Sequence, residues 1–192
     1  MKIGFIGLGK LGMPVAVCVA AAGHSVVGYD QNPERMRKNE YPFKEEGRNS
    51  SETFQDMISN STLTFASSVA EVVAESDLIF IAIQTPHAQE FEGITRVPDT
   101  TQDFDYTYLV NCLNDLTTLV TTPKTIAIIS TVAPGTYEKH LDAILRQNTN
   151  IRYCYNPFFI AMGTVVKDFL NPEFVLIGSH DKVIVDDLMK FY

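Results

Sequence analysis

The feature that most constrains this chain is its opening run, Lys2-Ile3-Gly4-Phe5-Ile6-Gly7-Leu8-Gly9-Lys10-Leu11-Gly12. Its G-x-G-x-x-G spacing follows a short β-rich segment, Lys2–Ile6, and opens an apolar helix over Gly12–Ala22. Pro14 lies in the first turn of that helix, where a missing N–H costs nothing, and Gly23 lies just past its end. A second β segment, Ser25–Tyr29, delivers Asp30 about 18 residues after Gly12, close to the spacing of roughly 20 that such a fingerprint requires. Gly7 permits the tight turn, Gly9 lets backbone approach a pyrophosphate, and Gly12 lets the helix pack on the strand. The pyrophosphate then meets free N–H groups at the positive end of the helix dipole. Asp30 can accept both hydroxyls of an adenine ribose, and its charge repels a 2′-phosphate. The pattern therefore points to NAD ahead of NADP, with Arg35 nearby pulling the other way. Two other readings stay open at this point: a glycine-rich packing turn with Asp30 capping the next helix, and a methyltransferase-type nucleoside site.

The rest of the chain alternates in the same style. Further strands are expected at Thr62–Ala66, Leu78–Ile83, Thr125–Ser130, Ile151–Tyr155 and Phe174–Gly178. Leu78–Ile83 and Thr125–Ile129 are almost continuously apolar, as strands buried on both faces should be. Between them, Asn32-Pro33-Glu34 reads as a cap and first turn. Ser68 with Glu71 fits a capping box opening a helix to Ala74. From Asp105 to Val120, the residues Tyr106, Leu109, Val110, Leu113, Leu116 and Val120 fall on one helical face. The expected fold is α/β: a Rossmann-type, doubly wound, mainly parallel sheet of six or more strands with helices on both faces. Two polar stretches, Tyr41–Ser50 and His87–Asp103, read as irregular. The second follows a buried strand at the carboxyl edge of the sheet, where ligands bind in such folds.

Composition narrows the function classes. The 192 residues are 45% hydrophobic and 20% charged, enough for a sizeable core, and the formal charge is −8. An acidic chain repels phosphate backbones and anionic lipid heads, so neither nucleic acid nor a membrane surface is an expected partner. Cys18, Cys112 and Cys154 are widely spaced in apolar runs; they build neither a disulfide framework nor a metal site and read as buried, reduced thiols. The N-terminal apolar stretch is broken by Gly4, Gly7, Gly9, Gly12 and Lys10, and the run from Met13 to Gly23 is short of the roughly 20 residues of a membrane span. A soluble, cytoplasmic protein is expected.

A second candidate site is Ser130-Thr131-Val132-Ala133-Pro134-Gly135-Thr136, where hydroxyls at a strand end precede a Pro-Gly turn. Ile83-Gln84-Thr85-Pro86 is a parallel case after the fourth strand. With the fingerprint, and with Tyr155-Asn156-Pro157 running through Gly163 to Lys167-Asp168-Phe169-Leu170-Asn171-Pro172, these motifs resemble the UDP-glucose/GDP-mannose 6-dehydrogenases, in the family's order from Met1 to about Gly178. 3-Hydroxyisobutyrate-type β-hydroxyacid dehydrogenases open almost identically, but the Ser-Thr-Val-x-Pro-Gly-Thr and Asp-Phe-Leu-Asn-Pro stretches count against them.

The resemblance implies oxidation of the C6 alcohol of a nucleotide sugar to a carboxylate with two NAD⁺. It implies an N-terminal Rossmann domain, here residues 1–192, joined through a long central helix to a second Rossmann-like domain. The family's catalytic cysteine, lysine and asparagine, and most contacts to the nucleotide-sugar substrate, would lie C-terminal to Tyr192. Cys154 sits in a different motif from that nucleophile. The chain is thus expected to be the cofactor domain of a longer, homodimeric enzyme, monomeric and inactive alone. Carried over by motif, the cofactor contacts are Gly7, Leu8, Gly9, Lys10, Leu11, Gly12, Asp30, Arg35, Gln84, Thr85, Pro86, Ser130 and Thr131, with Thr131 also helping to hold a catalytic water.

One departure matters. Where the family reads Asn-Pro-Glu-Phe-Leu-x-Glu-Gly, this chain has Asn156-Pro157-Phe158-Phe159-Ile160-Ala161-Met162-Gly163. Two carboxylates expected on the sugar and nicotinamide side are replaced by Phe158 and Met162. General acid–base help is worth about 10²–10⁴ in rate, so a pseudoenzyme or NAD-binding regulatory module is a competing reading. Among the histidines, His24 reads as a turn residue, His140 and His180 as surface residues, and His87 as adjacent to the cofactor crevice.

Overall fold

The computed structural model describes residues 1–93 and 96–192. Six parallel strands, β1 (Lys2–Ile6), β2 (Ser25–Tyr29), β3 (Thr64–Phe65), β4 (Leu78–Ile81), β5 (Lys124–Ile128) and β6 (Ile151–Tyr155), form one sheet in the order β3-β2-β1-β4-β5-β6. Among the described residues seven α-helices accompany them: α1 (Gly12–Ala21), α2 (Phe54–Asn60), α3 (Val69–Glu75), α4 (Thr107–Leu119), α5 (Asp142–Leu145), α6 (Val165–Leu170) and α7 (Lys182–Phe191). A π-helical turn, Tyr137–Leu141, leads into α5.

The two-layer covering follows from side-chain alternation along the strands. Ile3 and Phe5 of β1, Val26 of β2, Leu78 and Phe80 of β4 and Ala127 of β5 face one way, into a core shared with α1, α2, α6 and α7. Ile6, Val27, Ile79, Ile81, Ile126 and Ile128 face the other way, against α3, α4, Leu141 and Leu145. Both faces are apolar, so both need helices. Gly12 to Ala20 of α1 are all buried, because α2 and α6 pack on the side that the sheet does not cover. That explains a helix that is apolar all round.

The sheet register positions the site. Tyr29, Ile6, Ile81, Ile128 and Tyr155 are aligned across five strands as successive partners. The loops that leave them therefore emerge side by side along one edge. The sequence reverses direction between β1 and β4, the switch point where a ligand crevice opens in such sheets.

Several expected elements differ. Phe174–Gly178 is not a strand: it meets the sheet through one antiparallel bridge, Tyr155 with Gly178, in which each N–H donates to the other's carbonyl at 2.9 and 2.7 Å. Its apolar run instead leaves Phe174, Val175 and Leu176 exposed. Leu78–Ile83 and Thr125–Ser130 end as strands at Ile81 and Ile128, where the Ile83 N–H turns to the Ser130 hydroxyl instead of a strand carbonyl, and Thr62–Ala66 keeps strand pairing only at Thr64–Phe65. Asn32 caps a 3-10 turn, Pro33–Met36, not a longer helix. Ser68 caps α3 through the Glu71 N–H, but the Glu71 carboxylate reaches back to the Ser67 N–H and hydroxyl, one residue beyond a capping box. The three cysteines are free and buried, and burial pushes each thiol up to about 12, far from a reactive thiolate.

Candidate functional site: a dinucleotide crevice

The turn from β1 to α1 is built as its glycines require. Gly7 has φ +96°, and a β-carbon there would overlap the Ala82 carbonyl; one at Gly12 would overlap the Gly7 carbonyl. At Gly9 the space is open, with only the Arg35 Nη1 atom at 3.7 Å from the position of a β-carbon. Gly7 and Gly12 thus serve close packing, and Gly9 keeps the approach clear. Among the described residues, the N–H groups of Gly9, Lys10 and Leu11 find no acceptor in the chain. They lie at the N-terminal end of α1, a cradle suited to a pyrophosphate.

Asp30 follows β2 and is 4% exposed. Its Oδ2 accepts the Leu8 N–H at 2.8 Å and a bond from Arg35 Nη1 at 3.4 Å; its Oδ1 accepts the Asn32 N–H at 2.8 Å. A carboxylate offers roughly four lone-pair positions, so about one, on Oδ1, is left for a ribose hydroxyl. The sequence alone suggested two. The carboxylate also fixes the fingerprint turn, a role the sequence did not reveal.

On the other side of the switch point, the loops after β4 and β5 are sewn together. The Ser130 hydroxyl accepts the Ile83 N–H at 3.0 Å and donates to the Ile81 carbonyl at 3.3 Å. The Thr85 hydroxyl donates to the Thr131 carbonyl at 2.7 Å. Ser130 is buried and its hydroxyl is consumed. The Thr131 and Gln84 side chains are exposed and, among the described residues, have no partner. The free hydroxyl of this pair is therefore the one on Thr131. The exposed Pro86 contributes its carbonyl, which accepts the Asp105 N–H at 2.6 Å and ties the loop to the start of α4.

Sequence reasoning missed the support beneath this wall. The buried Tyr106 hydroxyl donates to Asp103 Oδ1 at 2.6 Å and accepts the Ala133 N–H at 3.0 Å, and the Thr136 hydroxyl lies 3.0 Å away. Periodicity places Tyr106 on the buried face of its helix and does not distinguish its hydroxyl from a core ring. The Tyr106 bond holds the Asp103 carboxyl below its ordinary range.

Other candidates fall elsewhere. His87 turns its Nε2 to the Phe91 carbonyl at 3.2 Å and its ring to Phe104. His24 lies at the opposite edge of the sheet, its Nδ1 3.2 Å from the N-terminal amine. Phe158 is half-buried and packs on Phe80 and Phe169, joining the core on the α1 face. Met162 is 61% exposed, near the Gly163 turn. No helix of the described residues is long and apolar enough to cross a membrane.

A parallel sheet in this order, with a glycine cradle, an acid after β2 and hydroxyls after β4 and β5, defines a Rossmann-type dinucleotide-binding domain. More narrowly, the chain belongs to the UDP-glucose/GDP-mannose dehydrogenase family: residues 1–192 match that family's NAD binding domain, and NAD is the cofactor. It is 27% identical to a UDP-glucose 6-dehydrogenase of Pseudomonas aeruginosa, over 100% of this chain and 42% of the relative. It is 28% identical to a GDP-mannose 6-dehydrogenase of Pseudomonas putida, over 100% of this chain and 44% of the relative. The crystal structure of a ternary complex of GDP-mannose dehydrogenase from P. aeruginosa superposes with a TM-score of 0.84 at 24% identity, covering 100% of this chain and 44% of that one, and shares the fold. The chain spans less than half the length of these relatives.

Proposed function

We propose that this chain is the N-terminal cofactor domain of a longer, cytoplasmic, homodimeric nucleotide-sugar 6-dehydrogenase, which oxidises the C6 alcohol of a UDP- or GDP-sugar. The observation that carries the reading is the convergence, along one sheet edge, of an open N–H cradle at Gly9–Leu11, the acid Asp30 and the unpartnered hydroxyl of Thr131. NAD⁺, when bound, supplies a hydride acceptor. In this reading the chain's own parts divide the work. The cradle takes the pyrophosphate, Asp30 takes one ribose hydroxyl, and Gln84, Thr85, Pro86, Ser130 and Thr131 form the nicotinamide-side wall. Ser130 stiffens that wall, and Thr131 offers its hydroxyl to a water beside the reacting carbon. The thiol that captures the aldehyde lies outside Met1–Tyr192.

The test is to supply the purified chain with NAD⁺ and, in turn, UDP-glucose, GDP-mannose and UDP-N-acetylmannosamine. It should bind NADH and form none. Reduction of NAD⁺ above a contamination control would place the chemistry within this segment and overturn the reading. In the full-length protein, Thr131→Val should lower kcat by up to about 10²-fold, the scale of a misplaced reacting group, with KM for NAD⁺ little changed.

Phe158 and Met162 favour a second reading, an NAD-binding module without turnover. Neither side chain can relay a proton: Phe158 is packed on Phe80 and Phe169 and Met162 is exposed, so neither replaces the carboxylates that the family pattern carries at these positions. We expect the full-length protein to be slow on UDP-glucose. An ordinary turnover of about 1–10³ per second would show that the two family carboxylates are dispensable in this protein.

A further inference from the structure

The amino edge of the sheet, opposite the dinucleotide crevice, carries a cleft of about 210 Å³ between the strands and α7. Its floor is a row of sheet partners: Leu78 of β4 pairs with Thr125 of β5, and Thr125 with Arg152 of β6. Side chains alternate along strands, and Leu78, Ala127 and Cys154 belong to the core on the α1 and α7 side. Thr125 and Arg152, two positions before Ala127 and Cys154, therefore face that side too. Leu188, buried in the same core, and Asp187 close the cleft from α7. These strands are 4 to 5 residues long, so at about 3.3 Å per residue the cleft lies roughly 13–17 Å from the crevice.

Opposite charges line this cleft without meeting. Arg152 faces Asp181, with Nε 3.8 Å from Oδ2, beyond hydrogen-bond reach. Among the described residues the Arg152 guanidinium, the Thr125 hydroxyl and the exposed Asp77 carboxylate make no hydrogen bond. The other charges at the cleft are spent: Lys124 Nζ donates to the Ser76 carbonyl at 2.6 Å, and Asp187 Oδ1 accepts Lys190 Nζ at 3.3 Å. Asp77 is fixed through its backbone. Its N–H donates to the Lys2 carbonyl at 2.9 Å, and its carbonyl accepts the Thr125 N–H at 3.0 Å. Two strand spacings, roughly 10 Å, lie between the Leu78 and Arg152 backbones, and no ion pair closes across them.

The Arg152 fork suits a carboxylate, with the Thr125 hydroxyl beside it, and Asp77 suits an ammonium. Leu78 and Leu188 supply apolar surface between the two. The volume is below the roughly 300–1,000 Å³ of sites for drug-sized ligands, which limits the occupant to a molecule of amino-acid size. A plain anion would be repelled by Asp77 and a plain cation by Arg152, whereas a zwitterion satisfies both. We propose that this cleft is a binding site for a small apolar α-amino acid. Its carboxylate sits on Arg152 and Thr125, its ammonium on Asp77, and its side chain on Leu78 and Leu188. The site is independent of the crevice and of how the crevice is read.

The experiment titrates the isotope-labelled chain with L-leucine and follows backbone amides by NMR. The amides of Leu78, Thr125, Arg152 and Leu188 should shift saturably, with a Kd of about 1 mM or tighter, while those of Gly9–Leu11 stay in place. Two analogues separate the handles: 4-methylpentanoate lacks the ammonium and 3-methylbutylamine lacks the carboxylate. Each should bind about tenfold more weakly or worse. Arg152→Gln and Asp77→Asn replace side chains that carry no packing, and thermal melts check that both variants are folded. Each should weaken L-leucine by about tenfold or more, and Arg152→Lys, which keeps the charge without the fork, should fall between. The absence of saturable shifts up to about 10 mM would overturn the proposal. So would equal binding of L-leucine and its two analogues, or unchanged binding in both Arg152→Gln and Asp77→Asn.

Discussion

Asp30 Oδ2 and the Leu8 N–H are 2.8 Å apart, so the acid after β2 holds the turn after β1. In the proposed reading, a single carboxylate serves both cofactor and fold. Asp30→Ala removes a charge-assisted contact worth about 1.5–3 kcal/mol and should weaken NAD roughly 10- to 100-fold. It also leaves the Leu8 and Asn32 N–H groups unpaired, which should lower stability by about 1–3 kcal/mol. Calorimetry and urea denaturation of the same variant separate the two effects. Unchanged NAD affinity would remove Asp30 from the site.

Gly9 and Gly12 should separate binding from folding. A methyl at Gly12 meets the Gly7 carbonyl, part of a backbone turn that cannot give, so Gly12→Ala should destabilise the chain by about 1–3 kcal/mol or more. A methyl at Gly9 meets nothing closer than Arg35 Nη1 at 3.7 Å, yet it stands in the open cradle. Gly9→Ala should leave the melting temperature near wild type and weaken NADH strongly. Thermal melts with and without NADH check both; a Gly9→Ala chain that still gains wild-type stability from NADH would refute the cradle.

Tyr106→Phe keeps the ring and deletes the hydroxyl that Asp103, Ala133 and Thr136 share. The half-buried Ala133 N–H loses its acceptor, at a cost of about 1 kcal/mol in unfolding free energy. The Ser130–Thr136 turn should loosen with it, giving faster amide exchange at Ala133 and Thr136. Exchange at wild-type rates would show that Tyr106 only fills space.

Glu45 gives a pH signature. Burial pushes its carboxyl above the ordinary 4.5, outweighing the bond from the Val166 N–H, and Asp168 and Glu46 add like-charge repulsion. The folded chain then keeps a proton that the unfolded chain has released, so this group's contribution to stability falls as pH rises from about 4.5 through the raised value. Glu45→Gln keeps an acceptor for Val166 without the charge. Relative to wild type, it should be neutral at acidic pH and equally or more stable at neutral pH, with the gain appearing across that window. Urea denaturation at several pH values checks it; a variant less stable at neutral pH would contradict the sign.

Much of this architecture was legible in the chain. The spacing from Gly7 to Gly12 and on to Asp30 described β1, α1 and β2, because a strand–turn–helix with a pyrophosphate cradle tolerates few other residues. The apolar runs at Leu78 and Thr125 announced strands covered on both faces. Phe174–Gly178 misled for a related reason. Its apolar, β-rich composition is that of a strand, but among the described residues it meets the sheet only through the Tyr155–Gly178 bridge, so Phe174, Val175 and Leu176 remain at the surface. Pattern records what a segment could bury, not whether a partner is there.

Local sequence determined what depends on near neighbours: the turn that only glycine allows, the helix whose first turn holds Pro14, and the hydroxyls after β5. Tertiary structure decided what those groups are free to do. Ser130 and Thr131 are adjacent in sequence and alike in chemistry. Yet Ser130 is buried between β4 and β5 with its hydroxyl bonded both ways, and the Thr131 hydroxyl is open. Asp30 acquired Leu8, and Lys10 acquired Phe43, through loops far apart along the chain. Hydrogen bonds and charge pairing act over a few ångströms, so they are set by which loops the sheet register brings to the same edge, and periodicity along one segment carries no record of that.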